Sequence, residues 1–89
     1  MITRTTHIIS KLGLHARPSA QLVSVTSKFQ SEVFITKEGL RINAKSIMGV
    51  MMLAAEKGSE LLIEADGPDE EAAVEAVVQL IQSGFGEPE

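Results

Sequence analysis

Four short stretches of the chain alternate between apolar and polar residues, or are rich in β-branched residues, as β-strands with one buried face are. The first is residues 2–8, in which His7 falls on the polar side. The other three are residues 32–36, 40–43 and 60–66. Residues 37–39 indicate a hairpin between the second and third strands, since Gly39 supplies the positive φ that the turn needs.

A first helix is predicted over residues 16–28 from composition and apolar spacing. Pro18 is tolerated there because it falls in the first turn, where a backbone N–H is not needed. Leu22, Val25 and Phe29 follow an i, i+3, i+7 spacing and form the predicted core stripe of this helix.

Two further helices are predicted, each with a polar residue at its N-cap position. Residues 46–53 begin with Ser46 and are apolar almost throughout, which indicates a helix of two turns. Residues 69–83 begin with Asp69 as the predicted cap, and Gly84 ends the helix. The predicted buried stripe of this last helix is Ala73, Val77, Leu80 and Ile81.

The predicted order is strand, helix, strand, strand, helix, strand, helix, with no repeat and no linker. Helices on one face of an antiparallel sheet form a two-layer α+β domain. A chain of 89 residues is long enough for one hydrophobic core and too short for two, so residues 1–89 are expected to form one domain.

Composition narrows the classes of function. The chain has no cysteine, and residues 1–10 form neither a signal-peptide core nor a membrane span, so we expect a cytoplasmic protein that does not insert into membranes. Residues 1–45 carry seven basic and two acidic residues, whereas residues 46–89 carry one basic and ten acidic residues. This asymmetry suits an acidic or phosphate-bearing protein partner. With 3% aromatic residues and a pI near 5.1, the composition argues against nucleic-acid binding.

Residues that suit phosphoryl transfer converge at the start of the first predicted helix. An imidazole nitrogen of His15 is a nucleophile toward phosphorus, and the resulting phosphoramidate is a good leaving group, so one residue can accept and donate the group. The first N–H groups of the helix, those of Ala16 and Arg17, can hold the phosphate, and the Arg17 guanidinium can neutralise its charge. Gly13 and Pro18 fix the loop. On chemistry alone, an isolated His-x-Arg triplet is more simply a loop histidine beside a solvated arginine.

Residues 13–18 (GLHARP) match the active-site signature of a known family, and residues 45–51 (KSIMGVM) match a second characteristic stretch of the same family. With these motifs, its length and its order of elements, the chain resembles HPr, the histidine-containing phosphocarrier family of the bacterial phosphotransferase system. The resemblance extends over nearly the whole chain.

This resemblance implies an open-faced β-sandwich with sheet order 1-4-2-3, covered on one face by three helices. It also implies that His15 accepts a phosphoryl group on Nδ1 from phosphorylated enzyme I, which is charged by phosphoenolpyruvate, and passes it to enzyme IIA proteins. The protein would be a monomeric carrier intermediate, without cofactor or metal, rather than a stand-alone catalyst. A nitrogen-related carrier with a mainly regulatory role stays open, as do an acylphosphatase-type enzyme and a purely regulatory module.

Ser46 has two interpretations. It is most simply a helix N-cap. In relatives that this sequence resembles, the matching serine is phosphorylated by a dedicated HPr kinase/phosphorylase. A phosphate on Ser46 would weaken docking to enzyme I and could recruit a transcriptional regulator. Met52 stands where many Gram-positive members have serine, and this departure leaves the subclass open.

A two-turn helix in a small domain cannot bury all the apolar residues that follow Ser46, so some are expected at the surface. Methionine side chains adapt to different partners, which suits a carrier. Val50 and Met52 could equally fill the core. The predicted partner surface near His15 consists of Ala20, Lys28, Ile47, Met48 and Met51. His7, without such neighbours, is interpreted as a surface histidine.

Overall fold

The computed structural model describes residues 1–11 and 13–86; residue 12 and residues 87–89 of the predicted domain lie outside these ranges. Its helices and strands follow one another in the predicted order. They are β1 (Ile2–His7), α1 (Ala16–Thr26), β2 (Glu32–Lys37), β3 (Leu40–Asn43), α2 (Ile47–Met52), β4 (Glu60–Asp66) and α3 (Glu70–Gln82), followed by a 3₁₀ turn at Gly84–Gly86.

The four strands form one antiparallel sheet in the order β1-β4-β2-β3, as the resemblance implies. The central strand β4 pairs with both neighbours, so that Ile63 lies opposite Arg4 on one side and Ile35 on the other. Along β4, Leu61 and Ile63 are fully buried toward the helices, while Leu62 between them is exposed on the other face. The fold is therefore an open-faced α+β sandwich whose core lies between the sheet and the helices.

The buried stripe of α1 differs from the predicted one. Leu22 is fully buried as predicted, but Val25 and Phe29 are only half-buried. The buried face is instead completed by Pro18, Ser19 and Thr26. Thr26 can be buried because its hydroxyl donates hydrogen bonds to the carbonyls of Val23 and Ala44 at 3.1 and 2.8 Å. The predicted stripe lies on a different side of the helix from the observed one, because the prediction considered only apolar residues and two of the buried residues are polar.

In α3 the buried residues include Ala73, Val77 and Ile81 as predicted, whereas Leu80 is only half-buried at the edge of the core. Val74 and Val78 are buried as well, so the apolar stripe is wider than the predicted one. A wide stripe is typical of a helix that covers a sheet.

Asp69 occupies the N-cap position of α3, but the prediction that its side chain caps the helix is wrong. Its carboxylate accepts hydrogen bonds from the Ser31 hydroxyl at 2.5 Å and from the backbone N–H groups of Gln30 and Ser31, both at 2.9 Å. These bonds hold the pKa of Asp69 below its ordinary value, and the bond from the Ser31 hydroxyl has the largest effect. The carboxylate thus joins the start of α3 to the segment before β2. Glu70 accepts instead from the N–H of Gly67.

The elements β1, α1 and β2 end at other residues than predicted, and β1 ends at His7, one residue early. α1 ends at Thr26, and the following N–H groups of Lys28 and Phe29 bond three residues back in tighter turns. β2 continues to Lys37, so the hairpin turn has two residues, Glu38 and Gly39, both with positive φ, as type I′ turns require. Among residues 1–11 and 13–86, no helix is both long enough and apolar enough to cross a bilayer.

Candidate functional site

His15 stands directly before the first residue of α1, at the N-cap position. Its backbone is extended (φ −89°, ψ −170°), and its carbonyl accepts the first helical hydrogen bond, from the N–H of Ser19 at 3.0 Å. The imidazole does not cap the helix and is partly exposed. A nucleophilic side chain is therefore held at the positive end of a helix of 11 residues.

The first turn of α1 can receive an anion. The N–H groups of Ala16 and Arg17 belong to the first helical turn, whose donors have no acceptor within the helix. No acidic residue lies in this turn to compete for them. Arg17 is exposed and forms no ion pair with any residue that the structure describes. Its guanidinium is thus available to a phosphate at the same helix end.

The loop in front of His15 is held by the core and by the segment after α2. Leu14 is buried, and its backbone N–H donates to the carbonyl oxygen of Ala55 at 2.8 Å. Gly13 has a φ of +69°, which favours glycine, as predicted from the sharp bend in the loop. The role of Ala55 could not be predicted, because nothing in its residue type indicates a backbone contact.

Helices α1 and α2 pack against each other in opposite directions. At the end of α1, the Thr26 hydroxyl donates to the carbonyl of Ala44, three residues before α2 begins. At its start, Leu14 donates to Ala55, three residues after α2 ends. The end of α2 therefore lies beside the loop that carries His15.

Ser46 caps α2 as predicted, since its side-chain oxygen accepts the N–H of Gly49 at 3.1 Å. It lies at the opposite end of α1 from His15. Next to it, Lys45 donates from Nζ to the carbonyl of Phe29 at 2.8 Å, just beyond the end of α1. Ser46 and His15 therefore lie near opposite ends of α1, whose 11 residues at about 1.5 Å each span about 16 Å.

One side of α2 presents an apolar face to solvent. Val50 is fully buried, whereas Met48 and Met52 are 74% and 63% exposed, so Met52 does not fill the core. Four exposed apolar residues, which fall in two successive turns of the helix, make up what we call the α2 apolar face: Ile47, Met48, Met51 and Met52. Met52, which was not predicted for this surface, extends the face toward the His15 end of α1. A monomeric surface rarely exposes such a cluster without a partner.

The other predicted surface residues lie at two different places. Ala20 is exposed on α1, one turn after Ala16, near the His15 end of the helix. Lys28 is exposed beyond the far end of α1, on the side of Ser46 and Phe29. Lys28 therefore does not border His15, and it lines a surface hollow together with Phe29 and residues of α3.

His7, the second histidine, is exposed at the end of β1, where its Nε2 lies 3.6 Å from the Glu60 carboxylate. The interpretation of His7 as a surface histidine is thus confirmed. Two surface hollows, of about 420 and 490 Å³, are lined by neither His15 nor Arg17. His15 therefore lies in neither hollow, and its imidazole is partly exposed at the surface.

Comparison with known proteins agrees with this geometry. Residues 2–83 match the family described as the PTS HPr component phosphorylation site. The chain is 53% identical over 89 residues to the phosphocarrier protein HPr of Cupriavidus necator, and the match covers all of both chains. It superposes with a TM-score of 0.96 and 46% identity on the crystal structure of HPr-C-His from Thermoanaerobacter tengcongensis, again over all of both chains.

A crystal structure of an HPr dimer from Thermoanaerobacter tengcongensis also matches, with a TM-score of 0.78 and 47% identity over 98% of this chain and 100% of that one. Sequence and fold thus agree over the full length of the chain. The chain belongs to the HPr family, the phosphocarriers of the phosphotransferase system.

Proposed function

We propose that His15 accepts a phosphoryl group on Nδ1 from phosphorylated enzyme I, whose phosphate comes from phosphoenolpyruvate, and transfers it to enzyme IIA proteins. The Nδ1–phosphorus bond forms as the bond to the donor breaks, and the reverse exchange passes the group to the acceptor. The protein acts in the cytoplasm as a monomer, a carrier between two catalysts rather than a catalyst by itself. It binds neither cofactor nor metal for this reaction.

The observation that carries this proposal is the position of His15 at the start of α1. A phosphate on its imidazole reaches the N–H groups of Ala16 and Arg17, and the helix end stabilises its negative charge. Arg17 supplies a planar set of donors that can follow the phosphate during transfer. Each interaction strengthens as negative charge arrives, which is what a phosphoryl acceptor needs.

The α2 apolar face supplies the docking surface. It consists mainly of methionine, whose flexible side chain adapts to partners of different shape, and it extends toward the His15 end of α1. Ala20, which is exposed on α1 near the acceptor, and Lys28, which is exposed beyond the other end of α1, would add to this surface. Enzyme I and the enzyme IIA proteins would use this surface in turn.

Ser46 is the proposed site of regulation by HPr kinase/phosphorylase. A phosphate on Ser46 would put about two negative charges at the start of the α2 apolar face, and these charges would have to be desolvated when enzyme I docks. It would act on docking rather than on His15 itself, because the two residues lie near opposite ends of α1, and the length of that helix, about 16 Å, is twice the Debye length of about 8 Å at physiological salt. A transcriptional regulator that recognises phosphoserine would use the same surface.

The experiment that tests the acceptor is labelling with phosphoenolpyruvate and enzyme I. We expect an acid-labile, base-stable phosphate on the parent protein and none on His15→Ala. His7→Ala is the matched control, since it removes the other histidine from an exposed strand and should be labelled like the parent. Label that persists in His15→Ala, or a parent protein without label, would reject the proposal.

A second candidate is the nitrogen-related branch of the phosphotransferase system, in which the carrier has a mainly regulatory role. This branch is a candidate because Met52 departs from the Gram-positive pattern. An apolar residue stands at the His15 end of the α2 apolar face, where many Gram-positive relatives have serine. Comparing transfer from the sugar-branch and nitrogen-branch forms of enzyme I would distinguish the two, since the true donor is expected to show the lower KM.

A further inference from the structure

The segment that follows α2 holds the loop of His15 at two points. The N–H of Leu14 donates to the carbonyl oxygen of Ala55 at 2.8 Å. Gly13 lies so close to the same segment that a Cβ there would come within 2.4 Å of the Ala55 oxygen and 2.7 Å of Glu56 Cα. The backbone after α2 and the backbone before α1 are therefore in direct contact, with no space for a side chain between them.

Ala54 sets the direction of the Ala55 carbonyl. It has a φ of +49°, in the left-handed region that an alanine rarely adopts. Its side chain is exposed, whereas Ala55 is buried, so packing of the Ala54 methyl group does not explain this conformation. The N–H of Ala54 donates to the carbonyl of Met51, and α2 ends at this turn. The turn also directs the carbonyl of Ala55 toward the N–H of Leu14.

We propose that Ala54 and Ala55 are positioning residues for phosphoryl transfer, holding His15 at a fixed place relative to the α2 apolar face. The inference rests on the proposed function of His15 as acceptor. A donor that docks on α2 then finds the imidazole already aligned, because one short backbone segment joins the docking helix to the acceptor loop. Alignment of this kind raises the rate of the transfer step and not the affinity of docking.

Two glycine variants test the contact between the segments. Gly13→Ala puts a methyl group against the Ala55 oxygen, while Gly39→Ala is the matched control, since its φ of +84° imposes similar backbone strain with nothing within 4 Å. With enzyme I, phosphoenolpyruvate and the carrier as varied substrate, we expect Gly13→Ala to lower kcat by about tenfold to a hundredfold, with KM within about twofold. Gly39→Ala should change neither constant.

Two variants at Ala54 test the turn itself and do not depend on Gly13→Ala folding. Ala54→Val makes the left-handed conformation more costly at an exposed position where no packing is lost, and Ala54→Gly keeps that conformation accessible. We expect kcat to fall in the valine variant, with KM unchanged, and to stay near the parent value in the glycine variant. Hydrogen exchange at the Leu14 amide should be faster in the valine variant.

The outcomes separate this inference from the proposed function. A parent protein that enzyme I does not phosphorylate overturns both. A parent that is phosphorylated, with kcat for Gly13→Ala and Ala54→Val equal to those of Gly39→Ala and Ala54→Gly, overturns the positioning role alone. A change confined to KM also overturns it, because the segment would then contribute to docking instead of alignment.

Discussion

The carboxylate of Asp69 accepts hydrogen bonds from both the hydroxyl and the backbone N–H of Ser31, and so ties the start of α3 to the residue before β2. These bonds favour the ionised carboxylate and keep its pKa below the ordinary value of 3.8. A carboxyl group whose pKa is lower in the folded state stabilises the fold above its unfolded pKa. This contribution disappears as the pH falls through the folded pKa.

We therefore expect Asp69→Asn to be less stable than the parent at neutral pH, and the difference to shrink as the pH falls below about 3.8. Urea unfolding from pH 7 to pH 2 measures it. Glu32→Gln, which removes a carboxylate from an exposed position on β2, is the control and should change the free energy of unfolding at pH 7 by less than about 0.5 kcal/mol. A constant difference between Asp69→Asn and the parent over the whole range would contradict the role of the ionised carboxylate.

The buried hydroxyl of Thr26 should contribute to stability through its bond to Ala44. Thr26→Val keeps the shape of the side chain but leaves the Ala44 carbonyl without this donor, so we expect the free energy of unfolding to fall by about 1–3 kcal/mol. Thr5→Val, on the exposed side of β1, should change it by less than about 0.5 kcal/mol. Equal stability of the two variants, measured by urea unfolding, would show that the buried bond contributes nothing.

The α2 apolar face should contribute to docking and little to stability. Met48→Ala removes the side chain that is most exposed on this face, so we expect a several-fold higher KM with enzyme I and an unchanged Tm. Leu62→Ala is the control, because Leu62 is an exposed apolar residue on the open face of the sheet. A KM that rises equally in both variants would contradict a docking surface on α2.

A negative charge at Ser46 should slow the phosphorylation of His15. Ser46→Asp keeps an N-cap acceptor and adds a charge beside the α2 apolar face, so we expect KM with enzyme I to rise about tenfold while kcat stays within twofold. Ser46→Asn caps the helix without the charge and should match the parent. Equal rates for Ser46→Asp and the parent, at carrier concentrations below KM, would contradict this account.

Much of the fold follows from the sequence, for reasons that differ between elements. Periodicity and turn residues place the seven helices and strands, because each strand has one buried face and Gly39 marks the turn between β2 and β3. The strand order comes from the family resemblance, since periodicity does not say which strands are neighbours. The α1 stripe is misplaced because Thr26 is buried through a hydrogen bond to a residue that is distant in the sequence.

Some residues of the candidate site can be predicted from the sequence, and others cannot. His15 and Arg17 stand out because their residue types serve phosphoryl transfer and because a predicted helix begins between them. Ala54 and Ala55 do not, since their contribution lies in backbone direction and contact, and alanine favours no such turn. Asp69 is of a residue type that commonly caps helices, but its carboxylate accepts a hydrogen bond from Ser31 instead.

The most direct test of the carrier role is discharge of the labelled protein. The parent, labelled with phosphoenolpyruvate and enzyme I and then freed of both, should keep its phosphate alone and lose it on addition of an enzyme IIA, which becomes labelled in equal amount. His7→Ala should behave in the same way. Label that stays on the carrier in the presence of enzyme IIA, or that is released as inorganic phosphate, would contradict the proposal that His15 passes the group on.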